Sequence, residues 1–185
     1  FFDFLRMNAG LRVEYSNQFV KTYNLFDATD MEKSELTKID YLPALNLTFL
    51  IPGDMQIRLG GSKTVNRPDL RELSNTLKFG VAGAKDIKGN PDLERAEIYN
   101  ADLRFEVYIT EKENIALGGF YKHFFNAIET VTQAGEGGVI TLQNVPRAYN
   151  LGVELEWQLS LRYVSDMIRS MVMKTRPGPG ITTSR

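Results

Sequence analysis

The segment from residue 54 to residue 108 opens as DMQIRLGGSKTVNRPDLREL and closes as GNPDLERAEIYNADLRFEVY. Both parts alternate between apolar and polar side chains. Apolar residues recur at Met55, Ile57 and Leu59, and again at every second position from Ala101 to Val107. A period of two places the apolar side chains on one face of a strand and the polar ones on the other. About ten residues of this pattern is also the length with which a tilted strand crosses a bilayer.

The composition limits the classes of protein to which the chain can belong. Its 185 residues, 43% of them hydrophobic, suit one soluble domain or one part of a larger protein. A net charge of −1 gives no basic surface for a nucleic acid, and the absence of cysteine excludes disulfides and cysteine-bound metals. The sequence has no run of about 18 apolar residues that would predict a membrane-spanning helix. The first residues, FFDFLRMNAG, lack the features of a secretory signal, so we expect any export signal to lie upstream.

Four further stretches are candidate strands, and the third of them is the least regular because Phe120, Phe124 and Phe125 occupy both of its faces. They are residues 9–20, 39–51, 115–126 and 149–161, of which the last is the most regular. Pro43 lies inside the second stretch and predicts a bulge or an irregular start, because proline cannot donate to a strand ladder. A glycine-rich turn within residues 128–142 indicates a further short strand pair. The chain is therefore predicted to be all-β, with about seven or eight antiparallel strands.

The connections between these strands alternate in length. Long ones span residues 21–38, 65–96 and 127–146, and short turns span residues 52–54 and 111–114. Outer-membrane barrels have short periplasmic turns and long extracellular loops, whereas a soluble sheet has no reason to segregate them. We therefore expect a transmembrane β-barrel, with its second long loop exposed to solvent on the cell surface.

That second loop contains the candidate ligand-binding residues. Pro68, Asp69 and Glu72 predict the first turn of a short helix over residues 68–74, because acids are favourable at the positive end of a helix dipole. Arg67, Arg71 and Glu72 are the charged side chains that we expect to reach a substrate there. An ion pair within the loop is the alternative role for them.

Five short motifs follow one another along the chain. They are SKTVNRPDLREL at residues 62–73, GNPDL at 89–93, YNADLR at 99–104, GFYK at 119–122 and NAIE at 126–129. In order and spacing they resemble the C-terminal half of the barrel in TonB-dependent outer-membrane receptors. A barrel of about 22 strands leaves room for a plug, and the chain corresponds to about a third of such a barrel.

The resemblance implies a function and a set of partners. It implies active uptake of a scarce ligand, such as an iron chelate, a cobalamin or an oligosaccharide, across the outer membrane of a Gram-negative bacterium. The implied partners are outer-membrane lipid, the plug domain of the same receptor and the TonB complex. We expect residues 1–164 to be a partial barrel, an open curved sheet, and residues 165–185 to be a short helix followed by a disordered tail. A small soluble β-barrel or sandwich that binds a lipophilic ligand is the alternative.

Residues that suggest enzyme chemistry have simpler explanations. His123 is the only histidine, and its neighbours offer no metal-ligand spacing. Asp102, Glu106, Glu154 and Glu156 could pass for paired carboxylates of a hydrolase, but they occupy the polar face of strands and suit a solvated barrel wall. The sequence therefore predicts no catalytic residue, no metal site and no cofactor.

Two further expectations concern the membrane and the edges of the sheet. Aromatic residues are expected to form girdles at the bilayer boundaries. The candidates are Phe105, Tyr108, Tyr149, Trp157 and Tyr163. The first and last strands, 9–20 and 149–161, are expected to be open edges that do not pair with each other.

Overall fold

The computed structural model describes residues 3–23, 31–78, 86–132, 139–160, 165 and 168–171. Eight strands form one sheet in the order β1-β2-β3-β6-β7-β8-β5-β4. Their bounds are β1 Leu5–Tyr23, β2 Met31–Ile51, β3 Met55–Asn66, β4 Leu77–Lys78, β5 Ile87–Lys88, β6 Ala96–Thr110, β7 Glu113–Thr132 and β8 Ile140–Gln158. The predicted all-β sheet is confirmed, with six long strands and two strands of two residues each.

The six long strands are antiparallel, so successive connections lie at opposite ends of the sheet. Residues 52–54 and 111–112 are tight turns at one end. In the first turn Gly53 has φ 95° and Asp54 has φ 56°, left-handed conformations that glycine adopts freely and aspartate tolerates. The long connections all leave from the other end. The predicted segregation of short and long connections is therefore confirmed.

The register places apolar side chains on one face of the sheet, which we call the outer face. One row across five strands consists of Leu47, Leu59, Leu103, Gly119 and Val153. The next row consists of Phe49, Ile57, Phe105, Leu117 and Leu155. The opposite, inner face carries polar rows, such as Ser62, Asn100, Lys122 and Asn150. Each long strand thus has one apolar and one polar side, as the alternation predicts.

The strands extend further beyond the apolar region than the sequence predicts. β1 continues to Tyr23 and β2 begins at Met31, so most of the predicted loop over residues 21–38 is strand. In the same way β7 and β8 absorb the strand pair predicted within residues 128–142. These extensions pair with each other as regular antiparallel ladders. The predicted boundaries were wrong because the extensions do not continue the regular alternation: those of β1 and β2 are mostly polar, and in those of β7 and β8 the apolar Ile128 and Leu142 pack with the connection between β3 and β6.

Pro43 causes no bulge, contrary to the prediction. It pairs with Leu11 in an uninterrupted register between β1 and β2. On the other side of β2, the ladder with β3 stops one residue short of Pro43, at the pair Ala44–Ser62. Pro43 therefore stands where β2 has no partner on the β3 side, and a missing N–H leaves no ladder bond unmade there.

The connection between β3 and β6 folds onto the inner face. We call its described parts, residues 67–78 and 86–95, the strap. Leu73 (1% exposed) and Leu93 (3% exposed) pack with Leu142 of β8, and Val20 and Ile128 pack against them. The expectation of a solvent-exposed loop is therefore wrong for Leu73 and Leu93, whereas Leu70 and Ile87 are exposed as expected. The strap supplies most of the small hydrophobic core.

The predicted helix over residues 68–74 is a single turn. The amides of Glu72 and Leu73 both donate to the carbonyl of Asp69, at 2.9 and 3.1 Å. The turn ends there: the next backbone bond runs from the amide of Thr76 to the carbonyl of Ser74, at 2.7 Å, and the hydroxyl of Ser74 bonds to those of Thr22 and Thr76. Ser165 and residues 168–171 are helical, in the segment predicted to be a short helix. The rest of the predicted tail lies outside the described residues. No helix among those described has the length and hydropathy needed to span a membrane.

Both lateral edges of the long-strand sheet are open. Within the described residues β1 pairs with β2 alone, and β8 pairs with β7 along its length. In the same part of the chain, the other side of β8 meets only β5, in parallel and over Ile140 and Thr141. In the described strands β1 and β8 do not pair with each other, so the sheet does not close. The expected edges are confirmed, and the alternative of a small closed barrel does not describe this sheet.

Candidate functional site

The inner face presents a polar wall. A groove of ≈ 560 Å³ lies across β1, β2, β3 and β6. Its polar lining consists of Arg6, Asn8, Asn46, Thr48, Gln56, Arg58, Asp102 and Arg104. These side chains come from even-numbered positions, which the strand period turns inward. The groove therefore offers both cationic and hydrogen-bonding groups to whatever occupies the inner side of the sheet.

Glu106 organises the end of this wall near the short turns. It is 3% exposed and accepts hydrogen bonds from Gln56, from the Tyr108 hydroxyl (2.8 Å) and from Arg104 (2.6 Å). Arg58 adds an ion pair at 3.3 Å. Arg104 also reaches Glu156 of β8 at 2.6 Å, so the network spans β3, β6 and β8. Charged hydrogen bonds of this kind fix a buried carboxylate in place.

The candidate Arg67 is bound to the sheet. Its guanidinium lies 2.8 Å from Glu14 and 2.6 Å from Asp40, and it also donates to the Ser16 hydroxyl at 3.1 Å. Burial alone would lower the pKa of Arg67, but its hydrogen bonds to Glu14 and Asp40 outweigh burial and raise that pKa. Arg67 is therefore a cation held by β1 and β2. Arg67 therefore forms its ion pairs with β1 and β2 of the barrel wall, and not within its own loop.

The other two candidates differ from each other. Glu72 accepts a hydrogen bond from the backbone amide of Asp69 at 2.9 Å, which is one half of a capping box. Arg71 is exposed at the outside of the same turn, and within the described residues it has no ion-pair partner. The structure thus brings Arg67 and Glu72 into supporting contacts, and leaves Arg71 as the candidate with a free cationic group. Their role in ligand binding stays a prediction.

The contact of Glu72 makes a specific prediction. Replacing Glu72 with alanine is expected to destabilise the strap by about 1 kcal/mol, because the Asp69 amide loses its partner. Glu72→Gln keeps an acceptor and should be close to neutral. The measurement is hydrogen exchange at residues 67–78. A loss of ligand affinity in both variants with unchanged exchange would instead make Glu72 a direct ligand contact.

Sequence analysis missed Asp40 and Arg95. Asp40 is 3% exposed and pairs with Arg67, while Arg95 Nε lies 2.8 Å from Asp40 Oδ1 as an ion pair. Arg95 also pairs with Glu97, which in turn pairs with Lys63 at 2.8 Å. The only local signal is that Asp40 occupies a polar position in an alternating strand. Its partners are distant in sequence, so no motif marks it.

The aromatic candidates fall in three places. Tyr149 (74% exposed) and Trp157 (65% exposed) lie on the outer face of β8, eight positions apart, where the predicted girdle requires them; their place at the bilayer boundaries stays a prediction. Phe105 is on the outer face between them in height, so it belongs to the apolar band. The assignment of Tyr108 to the girdle is wrong, because its side chain points inward and its hydroxyl donates a hydrogen bond to Glu106. Tyr163 lies outside the described residues.

His123 lies in an outer row with aromatic neighbours. It pairs with Tyr99 on one side and Tyr149 on the other, and its Nδ1 is 3.0 Å from the hydroxyl of Tyr121. Its ring centroid is 4.5 Å from that of Phe125. The arrangement is that of an interfacial side chain. Among the described residues no three metal-ligating side chains come together.

These features define the class of structure. Tyr149 and Trp157 are separated by about 27 Å along the strand, which at a tilt of 35–45° is about 19–22 Å along the membrane normal, somewhat less than the ~25 Å apolar band of outer-membrane barrels. Apolar side chains fill the outer face between them, whereas the inner face is polar and charged. A sheet in water buries its apolar face, and this one displays it. The fold is therefore a section of the wall of a transmembrane β-barrel.

Comparison with known proteins gives the family. Residues 1–175 match the TonB dependent receptor-like, beta-barrel family. No curated protein matches the chain in sequence. Similar solved structures include the siderophore receptor PirA from Pseudomonas aeruginosa, with a TM-score of 0.57, 14% identity, and coverage of 85% of this chain and 32% of that one. The Serratia marcescens hemophore receptor HasR, in complex with its hemophore HasA and heme, has a TM-score of 0.59 at 12% identity over 85% of this chain and 30% of that one.

A third structure is the ferric enterobactin receptor PfeA in complex with BCV-L6. It has a TM-score of 0.55 at 19% identity, over 86% of this chain and 23% of that one. At these identities the likeness shows the fold alone. The chain spans between 23% and 32% of the length of the three structures. The family match extends over nearly the whole chain, and the chain therefore belongs to the TonB-dependent receptor β-barrel family, whose members lie in the outer membrane of Gram-negative bacteria.

Proposed function

We propose that this chain forms part of the wall of a receptor that takes up an iron chelate, such as a ferric siderophore or haem, through the outer membrane. One observation supports it most directly. The inner face carries a cationic groove, and the strap folds onto that face at the end of the sheet where the long connections lie. The three similar structures are titled as siderophore, ferric enterobactin and hemophore receptors. Cobalamin and oligosaccharides are the competing ligands.

The proposal includes partners outside this segment. A plug domain would face the polar wall, and the TonB complex would supply the energy for transport. The two open edges support the proposal, because unpaired N–H and C=O groups in a bilayer cost several kcal/mol each. In a complete receptor β1 and β8 would pair with further strands of the same barrel.

The proposed role is binding and passage of the ligand, without chemistry on it. Two of the four inner carboxylates that could pass for a hydrolase pair, Glu106 and Glu156, are engaged with a cation. Glu106 and Glu156 both bind Arg104, which holds each carboxylate in an ion pair. An ion-paired carboxylate is a poor general acid, because its cationic partner favours the ionised form.

Arg71 tests the proposal. In a receptor that contains this segment, Arg71→Ala is expected to lower affinity for ferric enterobactin or haem by about tenfold, the effect of losing one charge-assisted hydrogen bond. Lys112→Ala, in the short turn at the opposite end, is the matched control and should leave affinity unchanged. Binding is measured by fluorescence titration of the purified receptor, and uptake by growth on each iron source.

Other outcomes would contradict the proposal. Binding and uptake of cyanocobalamin or a maltodextrin, with no response to either iron chelate, would replace the ligand class. Equal affinities of the Arg71 and Lys112 variants would remove Arg71 from the binding surface while leaving the ligand class in place.

A further inference from the structure

Asp40 binds both ends of the strap. Arg67 is the first residue of the strap and Arg95 is the last. Arg67 lies 2.6 Å from Asp40 Oδ2, and Arg95 Nε lies 2.8 Å from Asp40 Oδ1. Asp40 is 3% exposed, and the side chains of the two arginines are 24% and 15% exposed. One carboxylate of β2 thus closes the neck of the connection between β3 and β6.

The Asp40 carboxylate lies at a point where β2 and β3 are no longer joined by a backbone ladder. β2 and β3 part beyond the pair Ala44–Ser62, while β2 continues upward with β1 and β3 continues with β6. The side-chain network crosses that gap. It runs from Glu14 of β1 through Arg67, Asp40 and Arg95 to Glu97 of β6. Between the pair β1–β2 and the pair β3–β6, ionic contacts of side chains therefore take the place of backbone hydrogen bonds.

Beyond its neck, the strap joins strands that are not neighbours. Towards β1 and β2, Gln18 donates to the carbonyl of Pro68 at 2.8 Å, and Ser34 donates to that of Pro91 at 2.8 Å. Towards β8, Asn90 donates to the carbonyl of Leu142 at 3.0 Å. β3, β6 and β7 lie between these two attachment regions in the sheet. The strap therefore braces the inner face across the sheet.

The interior of the strap is close-packed. A Cβ at Gly89 would stand 2.1 Å from the carbonyl oxygen of Ser74 and 2.8 Å from that of Glu72. The next amide, of Asn90, donates to the Glu72 carbonyl at 2.7 Å. Only glycine permits this approach of two backbone segments. Together with the buried Leu73, it packs the two described parts of the strap closely against each other.

We propose that Asp40 is a positioning residue that holds the strap as a preformed wall at the mouth of the receptor. The inference rests on the proposed function, and adds that the ligand meets the strap already in place. Arg71, exposed on the strap, would then be presented at a fixed position. A fixed binding group costs less ordering entropy when the ligand arrives.

The physical reason is the balance of charge at the neck. Removing the charge of Asp40 leaves two partly buried guanidinium groups with one fewer anion between them. Breaking such a pair by removing one partner is costly, because the remaining charge stays partly desolvated. Arg67 keeps Glu14 and Arg95 keeps Glu97, so the cost is smaller than for a cation left with no partner. Opening of the strap is the cheapest response, since it returns both arginines to water. The barrel strands themselves keep their ladders.

The test is hydrogen exchange in a full receptor that contains this segment. With Asp40→Asn, amides of residues 67–78 and 86–95 should exchange about tenfold faster or more, while those of β6 and β7 remain unchanged. Asp54→Asn is the matched control: an exposed carboxylate in the short turn at the opposite end of the sheet, which takes part in no ion pair among the described residues. Wild-type exchange of the strap in Asp40→Asn would overturn the proposal.

A second variant covers the case in which Asp40→Asn fails to fold. The triple change Asp40→Asn, Arg67→Gln and Arg95→Gln removes the unbalanced charges, and should restore folding without restoring protection of the strap. Full protection in the triple variant would show that packing alone holds the strap, and would also overturn the proposal. Association of ferric enterobactin and haem is measured on the same proteins: slower association in Asp40→Asn but not in Asp54→Asn supports positioning. Failure of the wild-type receptor to bind either probe counts against the proposed ligand, and the exchange result stands apart from it.

Discussion

Arginine in place of Val153 is expected to destabilise the barrel by about 2–4 kcal/mol, the cost of a cation on the lipid face near the midplane of the membrane. Val153 is 76% exposed on the outer face of β8. It lies four residues from Tyr149 and four from Trp157, halfway between the two aromatic boundaries. Its cross-strand partner is Gly119, which offers no polar group to the new side chain. The free energy of unfolding in urea, measured with the receptor in lipid vesicles, checks the prediction.

The neighbouring residue supplies the control. Glu154 is on the inner face, where it lines a groove with Asp102, Asn150 and Lys122. Arginine there remains in a polar, hydrated environment, so Glu154→Arg should change the free energy of unfolding little. Equal costs at the two positions would contradict the assignment of outer and inner faces.

Alternation in the sequence identified the part of each strand that contacts lipid. In β8 the predicted strand over residues 149–161 overlaps the apolar band, but the observed strand begins at Ile140. Residues 140–148 lie beyond the aromatic boundary at Tyr149. Outside the bilayer neither face has to be apolar, so the pattern that marks a strand disappears although the ladder continues. The same reason explains why the extensions of β1 and β2 were predicted as a loop.

The face of the sheet on which an aromatic residue lies was predictable wherever the two-residue period of the strand was applied. Tyr108 is two residues from Glu106, and residues two apart on a strand share a face. The assignment of Tyr108 to the girdle contradicted this rule, and the structure places it inward beside Gln56 and Glu106. Tyr149 and Trp157 followed the rule and are on the outer face. The error lay in treating aromatic type as sufficient evidence for a membrane boundary.

The strap could not be predicted from local patterns. Its core joins Leu73 and Leu93 to Leu142, which are far apart in sequence and carry no common period. Its neck depends on Asp40, an acidic residue that looks like any other polar position of β2. The motifs around Arg67 did mark the region as special, and its charged residues were singled out. Their partners on β1 and β2 are fixed by tertiary contacts, which a single sequence does not encode in any readable spacing.

The two open edges have a large consequence for the isolated 185-residue chain. Among the described residues, β1 and the part of β8 after Thr141 each present an edge of unpaired amides and carbonyls. Each edge adjoins the apolar outer face, which water would contact. Without detergent the purified chain is therefore expected to associate into large oligomers. In detergent micelles the apolar face is covered, so the particles should be small. Size-exclusion chromatography with light scattering, in both conditions, measures the difference.

Variants of the edge strand separate the two causes of association. Lysine at Val153 and Leu155 should reduce association without detergent, because charges on an exposed edge oppose strand pairing and reduce the apolar patch. Lysine at Glu154 and Glu156, on the inner face, should reduce it much less. A cysteine pair, Val13→Cys with Val153→Cys, reports closure in a chain that has no native cysteine. A detergent-free monomer in which that pair forms a disulfide would show that β1 meets β8, and a small closed barrel would then replace the open section of a receptor wall.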